Sequence, residues 1–176
     1  MQRNIHGGGA QTVINGLRFE NNTRLDDALL NVPGYEIFEH DVYFNGEFVA
    51  KLGKGHDLYR NFLTPKGIDY KTILSRKLLP DEAIYVPRIT TMFIIEKKFQ
   101  ASEGSVDEKL QTSGFKKRQY TRLFKDLGYR VEYVYVLNDF FQHPKYRDVL
   151  DYISEVNSHY FFEEIPLRFL GLPFED

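Results

Sequence analysis

Short apolar stretches broken by single charges or by the polar "EHD" mark "YEIFEHDVYF" and "EFVAKL", whereas "MFII" and "RVEYVYVLN" are almost continuously apolar. The first two segments read as strands. A continuous β-branched run predicts a strand covered on both faces. Asn45-Gly46, the strongest two-residue hairpin signal, separates the first two segments. "EAIYV" reads as another strand and "PRITT" as a turn, so "MFIIEKKF" is predicted to return antiparallel to it.

Helical spacing fills the gaps. Asn15 reads as the N-cap of a helix over 15–30, with Leu17, Leu25, Ala28 and Leu29 on one face and "VPGY" as its stop. "HDLYRNFLTPKG" is a helix or loop broken near Pro65, and "IDYKTILSRKLL" a short helix ending at Pro80. A long helix is predicted over 105–127. Ser105 with Glu108 fits a capping box and Gly128 closes the helix. A further helix is expected over 145–157. The tail "YFFEEIPLRFLGLPFED" is aromatic and irregular, suited to completing the core or to a subunit contact. Strand, long helix and buried strand in succession make a crossover with parallel strands. The fold class is therefore α/β, or α+β by stricter counting: a central mixed sheet of four to six strands flanked by helices.

The chain has 176 residues, which predicts one domain with a real core. Its formal charge of −2 sets up no global basic field, although a local basic patch is enough to neutralise phosphates. Cysteine is absent, which excludes disulfides and cysteine-ligated zinc and fits a reducing cytoplasm. No apolar run is long enough for a spanning helix, and "MQRNIHGGGA" lacks the apolar core of a signal peptide. A soluble, cytoplasmic protein with no membrane partner is expected.

Against this background Glu96, Lys97 and Lys98 stand out, three charges closing a buried strand. Unpaired charge is costly to bury. Side chains alternate along a strand, so Glu96 and Lys98 emerge on one face about 7 Å apart. Asp81 opens the preceding strand. If the two strands pair around "PRITT", Asp81 comes beside Glu96 and Lys98. Two carboxylates suit a hard divalent cation such as Mg²⁺, and a lysine beside them can orient a water or balance charge.

The proline before Asp81, the "EKK" of Glu96 to Lys98 and the apolar strand leading into it resemble the signature of the PD-(D/E)XK nuclease superfamily. The chain looks like a small type II restriction endonuclease of that group. The resemblance runs from Leu79 through Asn138. It implies a restriction-endonuclease-like core, and a metal-dependent endodeoxyribonuclease that hydrolyses double-stranded DNA at a short specific site. It further implies Mg²⁺ as cofactor, replaceable by Mn²⁺, and a homodimer matched to a palindrome. Asp81 and Glu96 would be metal ligands and Lys98 the catalytic lysine. The main-chain carbonyl of Lys97 and the side chain of Glu20 are further candidate ligands. Gln100 resembles a glutamine found near such sites. Lys116, Lys117, Arg118 and Arg122, on the predicted long helix with Lys125, are candidate DNA contacts. The glycine-rich lead-in over 1–10 is a flexible or DNA-contacting arm.

Plainer readings stand beside these. Glu96 and Lys98 could end a solvated strand, Glu20 could be a helix-surface glutamate, and the basic run could be a solvated face. The five histidines have no ligand spacing. "HGGG" has neither a nucleophile elbow nor a lysine-serine/threonine partner to use it. A structure-specific or repair nuclease of the same fold, and a non-catalytic nucleic-acid-binding module, are the alternatives.

Overall fold

Leu17 and Phe19 are buried and Arg18 between them is exposed, the period of a strand. The computed structural model of the chain describes residues 14–104 and 106–175. In it the helix predicted over 15–30 is instead a short strand, β1 (Gly16–Arg18), then a turn, then α1 (Leu25–Leu30). The turn arises because the Glu20 N–H donates to the Thr23 hydroxyl (2.9 Å), a local bond that competes with helix. Asn15 is not an N-cap; its carbonyl accepts from Leu167 N–H. The capping box at Ser105 and the arm over 1–10, with His6, lie outside the described residues.

"YEIFEHDVYF" divides into β2 (Tyr35–Phe38) and β3 (Asp41–Phe44), because Glu39 turns the chain at φ 55°. Asn45-Gly46 makes the predicted hairpin to β4 (Glu47–Leu52). Both residues have positive φ, 49° and 82°, as a type I′ turn requires. Residues 53–81 carry little regular structure. The helix expected in "IDYKTILSRKLL" is one 3₁₀ turn, Tyr70–Thr72, started by the Asp69 side chain, which accepts from Lys71 N–H.

β5 (Glu82–Val86) and β6 (Thr91–Lys98) pair antiparallel as predicted. The crossover helix is broken. α2 (Val106–Leu110) and α3 (Ser113–Phe124) are separated at Thr112, whose hydroxyl bonds the Lys109 carbonyl. A 3₁₀ turn then ends at Gly128 with φ 70°. β7 (Arg130–Leu137) lies parallel to β6. The helix predicted over 145–157 is α4 (Arg147–Glu155), entered through a 3₁₀ turn, Pro144–Tyr146. The tail read as irregular supplies β8 (His159–Phe162), parallel to β7, and β9 (Glu164–Pro166), antiparallel to β1.

The result is a mixed α/β fold. Its central, mostly antiparallel sheet has the order β2-β3-β4-β5-β6-β7-β8, seven strands rather than four to six, with a β1-β9 ribbon beside it. One face packs on α3, α4 and residues 58–74 through Met92, Ile94, Tyr133 and Tyr135. The other packs on α1, the ribbon and Leu167, Leu170 and Leu172 through Phe93, Ile95, Val134 and Val136. Among the described residues no helix is long and apolar enough to cross a membrane.

Candidate active site

The register of β5 and β6 sets Glu82 opposite Ile95, so Asp81, one residue earlier, falls beside Glu96. The Asp81 carboxylate continues the ladder: Oδ2 accepts from Lys97 N–H at 3.0 Å. Met92, Ile94 and Glu96 share the face that packs on α3, so the strand that fills the core also carries Glu96 beneath the helix, 5% exposed. Lys98 is on the same face. Its Nζ lies 3.1 Å from Glu96 Oε2, 3.6 Å from Asp81 Oδ2 and 3.3 Å from the Lys97 carbonyl oxygen. The structure thus brings the three signature side chains and the Lys97 carbonyl to one point.

Burial pushes the Glu96 carboxyl above its ordinary range and the Asp81 charge pushes it further; Lys98 and Lys116 pull it back. Desolvation outweighs the nearby ammonium groups. Lys116 belongs to α3, and its Nζ is 3.8 Å from Glu96 Oε2. Tyr120, one helical turn later, is buried and stacks with Tyr133. Its hydroxyl is held protonated, first by burial, then by the negative charge of Glu96.

The opposite face of β6 has its own ion pair. The Lys97 ammonium donates to the Thr23 carbonyl and lies 3.9 Å from Glu82 Oε1. The same Glu82 oxygen accepts Leu25 N–H at 3.0 Å, which ties α1 to β5. Burial raises the Glu82 pKa despite that bond and Lys97.

Glu20 is not on a helix. It stands exposed in the turn before Thr23, and among the described residues the charged side chains that meet Asp81 or Glu96 are Lys98 and Lys116. Gln100 is held by its backbone: its N–H donates to Asn138 Oδ1 (3.1 Å) and Asn138 Nδ2 donates to its carbonyl (2.7 Å). The basic run does not form one face. Lys117 turns to Glu132 (3.8 Å) and the Asn157 carbonyl, Arg122 bonds the Ile73 carbonyl, and Arg118 is exposed.

Sequence reasoning did not separate Lys116 from its neighbours, yet a signal existed. Lys116 precedes Tyr120 by four residues and Leu123 by seven, and Lys117 precedes Tyr120 by three and Phe124 by seven, so these two of the run border the buried stripe while Arg118 does not. Asn138, and Tyr59, whose hydroxyl donates to the Leu78 carbonyl and accepts Leu78 N–H just before Asp81, were missed because each bonds backbone atoms that no motif marks.

Among the described residues the donors brought together here are oxygens, and the Lys98 ammonium already shows that one cation can meet three of them together. Among the described residues no three His, Cys, Asp or Glu side chains cluster in ligand range, so a cation here would rest on two carboxylates and one carbonyl. That set fits a hard divalent ion retaining several waters. No family model, no curated protein and no solved structure matches the chain.

Proposed function

We propose that the chain is a divalent-metal-dependent endodeoxyribonuclease with a restriction-endonuclease-like core, acting as a homodimer that cuts double-stranded DNA at a short specific site. The observation that carries this reading is the meeting of Asp81, Glu96, Lys98 and the Lys97 carbonyl at the end of β6. The antiparallel β5-β6 pair, the α3 crossover and the parallel β7 support it as the setting in which the signature occurs.

Asp81, Glu96 and the Lys97 carbonyl would hold Mg²⁺ or Mn²⁺, which supplies charge neutralisation at the phosphate and a water of lowered pKa. Asp81 is oriented for this by the Lys97 N–H, and Glu96 by the packing of β6. Lys98 is placed to hold the attacking water or a phosphoryl oxygen. The water oxygen bonds to phosphorus as the bond to the 3′ oxygen breaks. The electron pair stays on the 3′ oxygen, which takes a proton from solvent; the water loses one to solvent. The products are a 5′-phosphate and a 3′-hydroxyl.

The test is digestion of intact plasmid with Mg²⁺ or Mn²⁺ by the wild type, Asp81→Asn and Glu96→Gln. Discrete bands are expected from the wild type, with at least about a 100-fold loss in each variant, the scale of removing one preorganised electrostatic group. Undiminished cleavage by either variant removes the site. Cleavage without discrete bands replaces the restriction role with the repair or structure-specific one.

A further inference from the structure

Glu96 Oε2 meets two ammonium groups delivered by unrelated elements, Lys98 from its own strand and Lys116 from α3. We infer that Lys116 is a second catalytic lysine, whose ammonium contacts a non-bridging oxygen of the scissile phosphate. The inference rests on the endonuclease reading above and deepens it.

Three observations carry it. First, Lys116 is turned inward while the rest of the run is engaged elsewhere or exposed: Lys117 by Glu132 and Asn157, Arg122 by Ile73, with Arg118 on the surface. Second, its position is built. Tyr120, Leu123 and Phe124 bury the inner face of α3 against the sheet, and Lys116 projects from that face one turn before Tyr120. Third, its side chain keeps 29% exposure while Glu96 keeps 6%, so the ammonium stands on the solvent side of the buried carboxylate, where a phosphate would arrive.

The chemistry needs such a group. A phosphodiester carries one negative charge, and its transition state for hydrolysis gathers a second. A cation beside the phosphate therefore binds the transition state more tightly than the substrate. Lys98 is already shared between two carboxylates and a carbonyl. Lys116 meets one carboxylate at 3.8 Å and has hydrogen-bond capacity left for a phosphoryl oxygen.

Lys116→Gln tests this, with Lys116→Arg as a rescue. Cleavage should lose about 100-fold in kcat, with KM for DNA within about threefold. Lys116→Arg should recover part of the loss. Mn²⁺ binding by calorimetry on the protein alone should be unchanged or tighter, because the variant removes a cation beside Glu96. A melting temperature near the wild type certifies folding. Unchanged kcat overturns the inference. A loss confined to DNA affinity, with the salt dependence reduced by about one phosphate contact, also overturns it and makes Lys116 a backbone contact. Weakened Mn²⁺ binding overturns it by making Lys116 a support for Glu96. A wild type that cleaves nothing with either metal removes the endonuclease reading and Lys116 with it. A wild type that cleaves no faster than Lys116→Gln removes Lys116 alone.

Discussion

Glu96 is where stability and the proposed chemistry oppose each other. Burial and Asp81 hold its pKa above the ordinary 4.5, so the folded chain keeps this proton more tightly than the unfolded one. A raised carboxylate pKa means that stability falls as pH rises from about 4.5 through the folded value, and stays reduced above it. Glu96→Gln keeps the shape of the protonated acid and removes the buried charge. The variant should melt higher than wild type at neutral and alkaline pH. The gap should close below about pH 4.5, where both chains carry a neutral group; each ~1 kcal/mol relieved corresponds to about 2–4 °C for a domain of this size. Thermal melts across pH in the presence of a chelator measure this, and a variant that melts lower at alkaline pH refutes it. Lys98→Met separates the same residues by role. Cleavage should be lost, yet Mn²⁺ should bind at least as well, because the ammonium now within 3.1–3.6 Å of the Glu96 and Asp81 oxygens would no longer compete for them. Calorimetric titration that finds Mn²⁺ binding abolished would show Lys98 to be holding the carboxylates rather than acting beside them.

Asp81 ends a stretch with little regular structure, so something other than a helix or strand must aim it. The Lys97 N–H holds its carboxylate, and Tyr59 anchors the backbone three residues upstream. Its hydroxyl donates to the Leu78 carbonyl (2.7 Å) and accepts Leu78 N–H (3.0 Å), while Lys77 lies over the Tyr59 ring. Gly55 N–H bonds the Pro80 carbonyl and Gly53 N–H the Ala83 carbonyl, so the backbone is gripped on both sides of Asp81. Tyr59→Phe removes only the oxygen. It should cost about 0.5–1.5 kcal/mol, the net worth of a hydrogen bond to half-buried partners, and weaken Mn²⁺ binding about 10- to 100-fold through misplacement of Asp81. A variant that loses stability but binds Mn²⁺ normally would limit Tyr59 to a structural role. This clamp was invisible in the sequence, since its bonds go to main-chain atoms. The β5-β6-β7 unit was legible, because turn residues and apolar, β-branched runs agreed there. The helix over 15–30 failed for the opposite reason. Leu17 and Phe19 fit a period of two as well as Leu17 fits a helical face, and tertiary pairing with β9 decided between them. β8 and β9 were hidden in an aromatic tail whose pattern has no clean period.

On the scale of the molecule, the site lies where the antiparallel half of the sheet meets the parallel half. The carboxyl ends of β6 and β7 are tied by Gln100 and Asn138, and the crossover that leaves β6 must start there. Its main helix, α3, therefore brings an early residue, Lys116, over Glu96, just as open α/β sheets gather ligands at the carboxyl ends of parallel strands. A cation bound at this junction would join β5 to β6 through Asp81 and Glu96 and so stabilise the whole fold, by about 2.7 kcal/mol at a hundredfold excess over its Kd. Because the Glu96 pKa is raised, that binding must also displace a proton at lower pH. The rise in melting temperature produced by Mn²⁺ should therefore be larger at about pH 8 than near about pH 4.5, below the raised folded value, and vanish in Asp81→Asn. In Glu96→Gln the residual rise, if any, should not change with pH through this group. Melts with Mn²⁺ against melts with chelator, at both pH values and in all three chains, give the comparison without any DNA present. An equal shift at both pH values in the wild type would disconnect Glu96 from the cation, and an equal shift in Asp81→Asn would place the cation elsewhere on the protein.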